Sequence, residues 1–175
     1  IVRESLEKVQ AVVVNSGIAN ACTGREGLKI CEETAKEAGR VLDIPERSVL
    51  IGSTGVIGMQ IPMDRVKKGI AELASSKAET LEAGEAASRA IMTTDTHNKQ
   101  AAVSLELSGK TVTLGGMSKG SGMIHPGMCT MLAFLTTDAA IEKELLQKAV
   151  SEVVNETFNM ISVDGDMSTN DTLLV

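Results

Sequence analysis

The apolar positions of the chain follow two patterns, short continuous runs and helical spacing, and each pattern predicts a different element. Runs of mostly apolar residues bounded by Gly, Ser or Asn predict strands. Such runs cover residues 9–14, 49–57, 131–135 and 160–163. Apolar side chains that recur every three or four residues predict amphipathic helices. This spacing covers residues 26–42, 63–74, 77–92 and 141–158.

Glycines and their polar neighbours indicate where the strands end. Ser108-Gly109 separates apolar stretches at 101–107 and 111–114, which predicts a β-hairpin. Asn15-Ser16-Gly17 predicts a turn after the first strand, and Ser53-Thr54-Gly55 predicts a loop at the end of the second.

The order of these elements, in which helices and strands alternate along the chain, predicts a mixed α/β fold. We find no internal repeat, low-complexity tract or linker, and 175 residues fit one domain. The chain begins with Ile rather than Met, and residues 172–175 are typical of the beginning of a strand. We therefore expect the chain to be a central fragment of a longer protein.

Composition and charge exclude several classes of function. The chain has two Phe, no Trp and no Tyr, and its net charge is −6. Nucleic-acid binders use basic surfaces and aromatic rings, so nucleic acid is not an expected partner. The longest charge-free stretch, residues 120–137, contains Gly, Pro and His and is too polar for a membrane span. Three Cys without metal-ligand spacing predict neither a zinc site nor a disulfide framework, and we expect a cytoplasmic location.

Four segments rich in Gly, Ser, Thr and Asn lie next to predicted strands and are candidates for ligand binding. They span residues 15–24, 52–58, 92–96 and 115–134. The last segment fits no phosphate-binding loop, because Lys119 precedes Gly120. It fits no dinucleotide loop either, because His125 stands where the third glycine belongs. For each segment taken alone, an ordinary turn is the other interpretation.

The segment Asp164-Gly165-Asp166 follows a predicted strand and offers an alternative function. It is similar to the nucleophile loop of haloacid-dehalogenase-type phosphatases, in which the first Asp attacks phosphorus and the second handles the leaving-group proton beside Mg²⁺. Asp164 and Asp166 would then be the catalytic pair. The other interpretation is a turn in which these side chains cap neighbouring backbone groups.

Thr130 is the candidate nucleophile because of the residues on either side of it. A Gly/Ser/Pro segment and a small residue, Cys129, precede it, and the apolar run at 131–135 follows. Attack of its hydroxyl on the preceding carbonyl would convert an amide into an ester, and water would then free a new N-terminus. That amine, with an ordinary pKa of about 7.7–8.0, could take the proton of the same residue's hydroxyl. Any Thr at the start of a strand has the same context, so a purely structural role is the other interpretation.

Five long motifs give the chain a resemblance to a known family. They are VVVNSGIANACTG, STGVIGMQIPMD, AIMTTDT, GGMSKGSGMIHPGMCTMLAFLTTDAAI and SVDGDMSTNDT. In this order and spacing they resemble the ornithine acetyltransferase (glutamate N-acetyltransferase) family of arginine biosynthesis, some members of which are bifunctional. The resemblance spans nearly the whole chain.

This resemblance implies a layered α/β/β/α fold similar to that of the N-terminal nucleophile hydrolases, and a proenzyme that cleaves itself before Thr130. Residues 1–129 would end one chain and residues 130–175 would begin a second, with the two chains held together as a hetero-oligomer of two of each. The implied reaction moves an acetyl group from N-acetylornithine to glutamate through an acetyl ester on Thr130. Acetyl-CoA as a further donor stays open, and no cofactor or metal is expected.

The resemblance also assigns roles to residues far from the cleavage site in sequence. The Thr54 hydroxyl and the Gly55 amide would bind the oxyanion of the tetrahedral intermediates, where one donor typically contributes about 10²–10³ in rate. Thr93 and Lys119 would bind substrate, together with Thr130 itself, and the lysine ammonium suits the carboxylate of an amino acid.

Two positions depart from the family's pattern. Cys129 stands where Ala is common, and His97-Asn98 replaces a more usual aromatic-Pro pair. His125 lies close to Thr130 in sequence and invites a general-base role, but an N-terminal amine makes a separate base unnecessary. A non-catalytic binding or regulatory piece is the remaining alternative, and it would stay uncleaved and take up no acyl group.

Overall fold

The computed structural model describes residues 9–125 and 131–175, which divide into two compact units. The first unit extends to Ile91 and the second begins at Met92. Each unit combines helix with sheet, so the predicted mixed α/β fold class is confirmed. The predicted division of the chain at 129/130 lies outside the described residues and stays a prediction.

The described part of the first unit contains a two-stranded parallel sheet and three α-helices. Its elements are strands β1 (Ala11–Ile18) and β2 (Val49–Val56) and helices α1 (Gly24–Leu42), α2 (Met63–Ser76) and α3 (Leu81–Ala90). Parallel strands need a crossover connection, and α1 supplies it. The buried centre of the unit joins Ala35 and Ala38 of α1 to Val49 of β2 and Ile70 of α2. Ala35 and Ala38 of the apolar face predicted for α1 are therefore confirmed as core residues, whereas Leu28 of that face is 61% exposed and Ile30 is buried instead.

Local signals in the sequence set the boundaries of these helices. Helix α1 ends where Asp43 adopts a left-handed backbone (φ +56°) and its amide donates to the Gly39 carbonyl. Helix α2 begins directly after Pro62, which lacks the amide hydrogen that a helix start leaves unpaired. Helix α3 begins at Leu81 rather than at the predicted residue 77, because the Thr80 hydroxyl caps it by accepting a hydrogen bond from the Ala83 amide at 3.2 Å.

The second unit is built on a four-stranded sheet. Its strands are β3 (Lys99–Leu107), β4 (Lys110–Lys119), β5 (Leu132–Thr137) and β6 (Thr172–Leu174), in that spatial order. The first three pair antiparallel, whereas β6 pairs parallel to β5. The predicted hairpin is confirmed, since Ser108 and Gly109 both have positive φ (51° and 76°), as a tight two-residue hairpin turn requires.

The remaining helix, α4 (Lys143–Glu156), is shorter at both ends than the predicted 141–158. Within residues 9–125 and 131–175, no helix combines the length and the apolarity needed to cross a membrane.

Three predictions about strands and the turns next to them are wrong. Residues 15–17 and 53–55, predicted as a turn and a loop, lie inside β1 and β2, because the two polar stretches pair with each other in parallel register. Residues 160–163, predicted as a strand, do not form one, since Phe158–Met160 is a short 3₁₀ helix and irregular backbone follows. The predicted strand at the end of the chain is confirmed, and as β6 it pairs with β5.

Candidate active site

Strand β2 carries Thr54 and Gly55, the predicted oxyanion donors, side by side. Thr54 is buried, with 6% of its surface exposed, whereas Gly55 lies in the exposed last part of the strand. Gly55 has φ = +129° and pairs with Gly17 of β1. A Cβ atom at position 55 would lie 2.3 Å from both the carbonyl carbon and the oxygen of Gly17, so the backbone path requires glycine here.

The chain that follows β1 is held against the same end of β2. The Ala19 amide donates to the Val56 carbonyl at 2.9 Å, and the Asn20 amide donates to the buried Ser53 hydroxyl at 2.8 Å. These bonds hold the backbone on both sides of the predicted donor pair. Such rigidity is what hydrogen-bond donors need in order to stabilise a developing oxyanion without reorganisation.

In the second unit, one end of the sheet brings Lys119 next to the strand that follows the predicted cleavage site. Lys119, the last residue of β4, pairs with Leu132, the first residue of β5, and Leu132 pairs in turn with Thr172 of β6. The cleavage site itself lies outside the described residues, but Met131 joins Thr130 to β5. The predicted substrate-binding lysine therefore lies beside the strand that leads away from the predicted nucleophile.

Lys119 is a buried cation. Only 3% of its surface is exposed, and its Nζ donates to the Thr93 hydroxyl at 2.8 Å. Burial lowers the pKa of the Lys119 ammonium, and the charge of Lys99 lowers it further, whereas Asp95 and Asp171 oppose the change. The two predicted substrate-binding residues thus contact each other directly, although 26 positions separate them in sequence.

Asp95 links the two segments that carry this pair. Its Oδ1 accepts hydrogen bonds from Lys99 Nζ at 2.6 Å and from the Gly120 amide at 2.8 Å, and its Oδ2 accepts one from the Thr93 amide at 3.3 Å. The carboxylate side chain is 1% exposed. Burial raises the pKa of Asp95, but the hydrogen bonds from Lys99, Gly120 and Thr93 outweigh it, and the net change lowers the pKa. Asp95 is therefore a charged anchor for the residues on either side of it.

A second carboxylate, Asp171, lies directly before β6. Its Oδ1 accepts a hydrogen bond from the Met131 amide at 3.0 Å, and the carboxylate also accepts from the amide and hydroxyl of Ser168. Burial raises the pKa of Asp171, and these hydrogen bonds and the charge of Lys119 only partly oppose that change.

Sequence reasoning missed Asp95, Lys99 and Asp171 as functional candidates, although two of them lie inside the quoted motifs AIMTTDT and SVDGDMSTNDT.

The alternative nucleophile loop at Asp164 lacks the strand that it requires. Residues 161–163 are irregular, and Asp164 Oδ1 accepts hydrogen bonds from the amides of Asp166 and Ile124, both at 3.0 Å. The bond from Asp166 and the bond from Ile124 lower the pKa of Asp164. This is the capping turn that the sequence offered as the other interpretation, and its geometry does not favour the phosphatase hypothesis.

Two more sequence candidates concern the cleavage loop and the histidines. Cys129 and Thr130 lie outside the described residues, so their predicted roles stay predictions. Among the described residues, the Nδ1 atom of His125 is buried and has no hydrogen-bond partner. His97 is exposed, and its Nδ1 lies 3.0 Å from the Thr96 hydroxyl.

Two curated relatives illustrate what this chain is similar to. The arginine biosynthesis bifunctional protein ArgJ of Caldanaerobacter subterraneus subsp. tengcongensis is 54% identical over 168 residues, which are 96% of this chain and 41% of that protein. The protein of the same description from Staphylococcus aureus (strain Mu50) is 50% identical over 173 residues, 99% of this chain and 41% of that protein. The chain thus spans about two fifths of the length of the curated relatives that it matches.

Two solved structures share the fold. The crystal structure of ArgJ from Bacillus halodurans aligns with a TM-score of 0.61 and 40% identity, covering 73% of this chain and 74% of that one. The crystal structure of ornithine acetyltransferase complexed with ornithine, from Mycobacterium tuberculosis, aligns with a TM-score of 0.58 and 35% identity, covering 66% of this chain and 61% of that one.

Fold and sequence together define the class to which the chain belongs. The mixed α/β architecture of the chain is similar to that of the two solved structures just described, at 40% and 35% sequence identity. The family model of the ArgJ family matches residues 1–175, and the chain belongs to that family. The family resemblance predicted from the five motifs is confirmed.

Proposed function

We propose that this chain is the part of an acetyltransferase that carries the nucleophile Thr130, the oxyanion donors and a substrate-binding lysine. The protein would move an acetyl group from N-acetylornithine to glutamate through an acetyl ester on Thr130, after self-cleavage before that residue. Membership of the ArgJ family supports acyl transfer in arginine biosynthesis, and the ornithine bound by the Mycobacterium tuberculosis relative supports the donor.

The buried Lys119 ammonium is the observation that carries the proposal. Its hydrogen bond to the Thr93 hydroxyl presents a cation and a hydroxyl at the end of the sheet from which β5 begins. A cation removed from water binds a carboxylate more strongly than an exposed one does, because the low local dielectric strengthens the attraction. Donor and acceptor in the proposed reaction are both amino-acid derivatives with an α-carboxylate, so one cation can serve both.

Self-cleavage would supply the nucleophile in two steps. The Thr130 hydroxyl attacks the carbonyl carbon of Cys129, the C–N bond breaks, and the chain is joined by an ester instead of an amide. This break frees the α-amine of Thr130, and water then hydrolyses the ester, which leaves a carboxylate on Cys129 and frees the Thr130 hydroxyl. With an ordinary pKa of about 7.7–8.0, this amine is partly neutral near pH 7 and can act as the base for its own hydroxyl.

Acetyl transfer would then proceed in two half-reactions. The Thr130 oxygen attacks the acetyl carbonyl of N-acetylornithine, the amide C–N bond breaks, and ornithine leaves with the proton that the amine had taken. The amine of glutamate attacks the resulting ester, and N-acetylglutamate leaves as the Thr130 hydroxyl is restored. The Thr54 hydroxyl and the Gly55 amide would bind the oxyanion formed at each attack, as preorganised donors on a rigid strand.

The test uses the full-length protein that contains this chain. We expect the parent to run as two pieces, and incubation with N-acetylornithine to add one acetyl group to the piece that begins at Thr130. Thr130→Ala should remain one piece and take up no acetyl group. Thr136→Ala, which removes an exposed hydroxyl from the other end of β5, is the matched control and should behave as the parent.

Three outcomes would count against the proposal. An uncleaved parent that still transfers acetyl would rule out the N-terminal nucleophile, and an intact parent that forms no adduct would favour a non-catalytic binding role. Transfer of the acyl group to water rather than glutamate would make the protein a hydrolase.

Parallel assays with acetyl-CoA decide whether it serves as a second donor, and the mass of the native assembly tests the expected two copies of each chain.

A further inference from the structure

The segment 163–172 contacts the chain on both sides of the predicted cleavage site. On the side that precedes the site, the Ile124 amide donates to Asp164 Oδ1 at 3.0 Å, and the Ile124 carbonyl accepts from the Val163 amide at 2.8 Å. The Asp164 carboxylate and the Val163 amide thus bind both backbone polar groups of Ile124.

The same arrangement recurs on the side that follows the site. The Met131 amide donates to Asp171 Oδ1 at 3.0 Å, and the Met131 carbonyl accepts from the Thr172 amide at 3.0 Å. The amide nitrogen of Met131 is bonded to the carbonyl carbon of Thr130. The hydrogen bond from this amide to Asp171 therefore restrains the peptide group that joins the nucleophile to the sheet.

We propose that Asp171 is a positioning residue that holds the Met131 peptide group so that the Thr130 hydroxyl is correctly placed, first for self-cleavage and then for acetyl transfer. The proposal rests on the function proposed above. Misplacing a reacting group by about 1 Å can cost about 10²-fold in rate, so the orientation of this one peptide group is a sensitive control point.

The environment of Asp171 argues for more than a strand cap. An ordinary aspartate cap exists at the other end of β5, where the exposed Asp138, directly after the strand, accepts a hydrogen bond from the Thr113 amide of β4 at 2.7 Å. Asp171, in contrast, is partly buried, accepts from Met131 and Ser168 together, and lies in the field of the buried Lys119. Burying a carboxylate is unfavourable unless several donors surround it, and here those donors fix its position.

The experiment compares four forms of the full-length protein, synthesised without cells so that conversion of precursor into two pieces can be timed. They are the parent, Asp171→Ala, Asp171→Asn and the matched control Asp138→Ala. At a temperature well below each unfolding midpoint, we expect Asp171→Ala to cleave at least about tenfold more slowly than the parent. Asp138→Ala should cleave at the parental rate, and Asp171→Asn, whose amide oxygen still accepts one hydrogen bond, should lie between the parent and Asp171→Ala.

Kinetics of the cleaved enzyme separate positioning from general damage. We expect Asp171→Asn to lower kcat by a larger factor than it raises the KM for N-acetylornithine, because Thr93 and Lys119 keep their hydrogen bond while the Met131 peptide group is held less firmly. Parental cleavage and kcat in Asp171→Ala, or equal slowing by Asp171→Ala and Asp138→Ala, would overturn the inference. If Asp171→Ala does not fold, an unchanged kcat in Asp171→Asn would overturn it alone. An uncleaved parent would instead overturn the proposed function, so the two failures are distinguishable.

Discussion

The two units build their candidate site residues by different physical means. In the first unit, Thr54 and Gly55 are placed by backbone geometry, with two glycines facing each other across a parallel strand pair. In the second, Lys119 and Thr93 are placed by charge, with Asp95 holding the backbone on either side of the pair. The first arrangement has no space for a side chain at position 55, whereas the second needs the Asp95 carboxylate to accept hydrogen bonds from the backbone.

This difference predicts how each unit responds to pH, to salt and to added side-chain volume. A pair of backbone and hydroxyl donors is neutral, so the placement of Thr54 and Gly55 should be insensitive to pH and salt but intolerant of added volume at position 55. The second unit contains buried ionised groups, so its stability should depend on pH and on the pairing of charges.

The largest expected effect comes from adding one methyl group to the first unit. In Gly55→Ala the new Cβ would meet the Gly17 backbone at 2.3 Å, so strands β1 and β2 must separate. We expect a loss of more than about 4 kcal/mol in the free energy of unfolding, and loss of acetyl transfer, measured by denaturant titration and assay.

The control for this variant is Gly58→Ala. Gly58 also has a positive φ (+79°), but a Cβ there would meet no atom within 4 Å. It should cost only the backbone strain, about 1–2 kcal/mol. Equal destabilisation by the two variants would mean that contact with Gly17 is not what makes position 55 special.

The next effect concerns the charged anchor of the second unit. Asp95→Ala leaves the buried Gly120 amide without its carboxylate partner and should cost about 2–3 kcal/mol near pH 7. Because the folded state lowers the pKa of Asp95, its contribution is fully present above the ordinary Asp pKa of about 3.9. It is lost as the pH falls through the lower pKa of the folded state, so parent and variant should converge in acid.

Denaturant titrations of parent and Asp95→Ala over a pH series test this dependence. The exposed cap removed in Asp138→Ala should cost about 1 kcal/mol or less. A difference between parent and Asp95→Ala that stayed constant down to strongly acidic pH would show that the charge of Asp95 contributes nothing.

Removal of the buried cation should separate function from stability. Lys119→Met should lower kcat/KM about 30-fold, mainly through KM, since truncating a buried hydrogen-bonded charge costs about 2 kcal/mol of binding. Its stability should equal or exceed that of the parent, because burial lowers the pKa of Lys119 and so opposes folding of the charged form. This advantage should shrink as the pH rises through the lowered pKa. A KM that did not change would remove Lys119 from the substrate site.

The smallest expected effect comes from comparing two ion pairs of the same spacing, one in each unit. Glu85–Arg89 in the first unit and Asp95–Lys99 in the second are both four residues apart, at 2.6 Å each. The former is exposed, so Glu85→Gln should cost only about 0.3–0.5 kcal/mol and less at high salt. Thermal unfolding at two salt concentrations measures this cost, and a cost as large as that of Asp95→Ala would show that burial does not account for the difference between these two ion pairs.

Periodicity in the sequence predicted the elements whose signals are local. Helix α1 was predictable because its apolar face and its stop signal lie within one segment, and the Ser108-Gly109 turn was predictable from its two residues. The polar stretches at 15–17 and 53–55 were misread as turn and loop because a partner strand satisfies their backbone, and no local pattern reveals that partner.

The candidate site divides in the same way. The resemblance assigned Thr93 and Lys119 to the substrate, and the fold joins them through a hydrogen bond across 26 positions. The sequence did not predict Asp95 and Asp171 because their hydrogen-bond donors are distant. Asp95 accepts from an amide 25 residues away, and Asp171 accepts from one 40 residues away. A single Asp in a polar motif has the same appearance in the sequence whether it is solvated or buried.

The sequence by itself determined the family, the helices and the hairpin, and the hydroxyl and amine chemistry open to Thr130, since these depend on residue type and near neighbours. Only the tertiary structure decided that position 55 must lack a side chain, that Lys119 is buried, and that Asp171 holds the Met131 amide. The physical reason is that close backbone approach, desolvation and hydrogen bonds between distant segments are properties of strand register and packing, which local spacing does not specify.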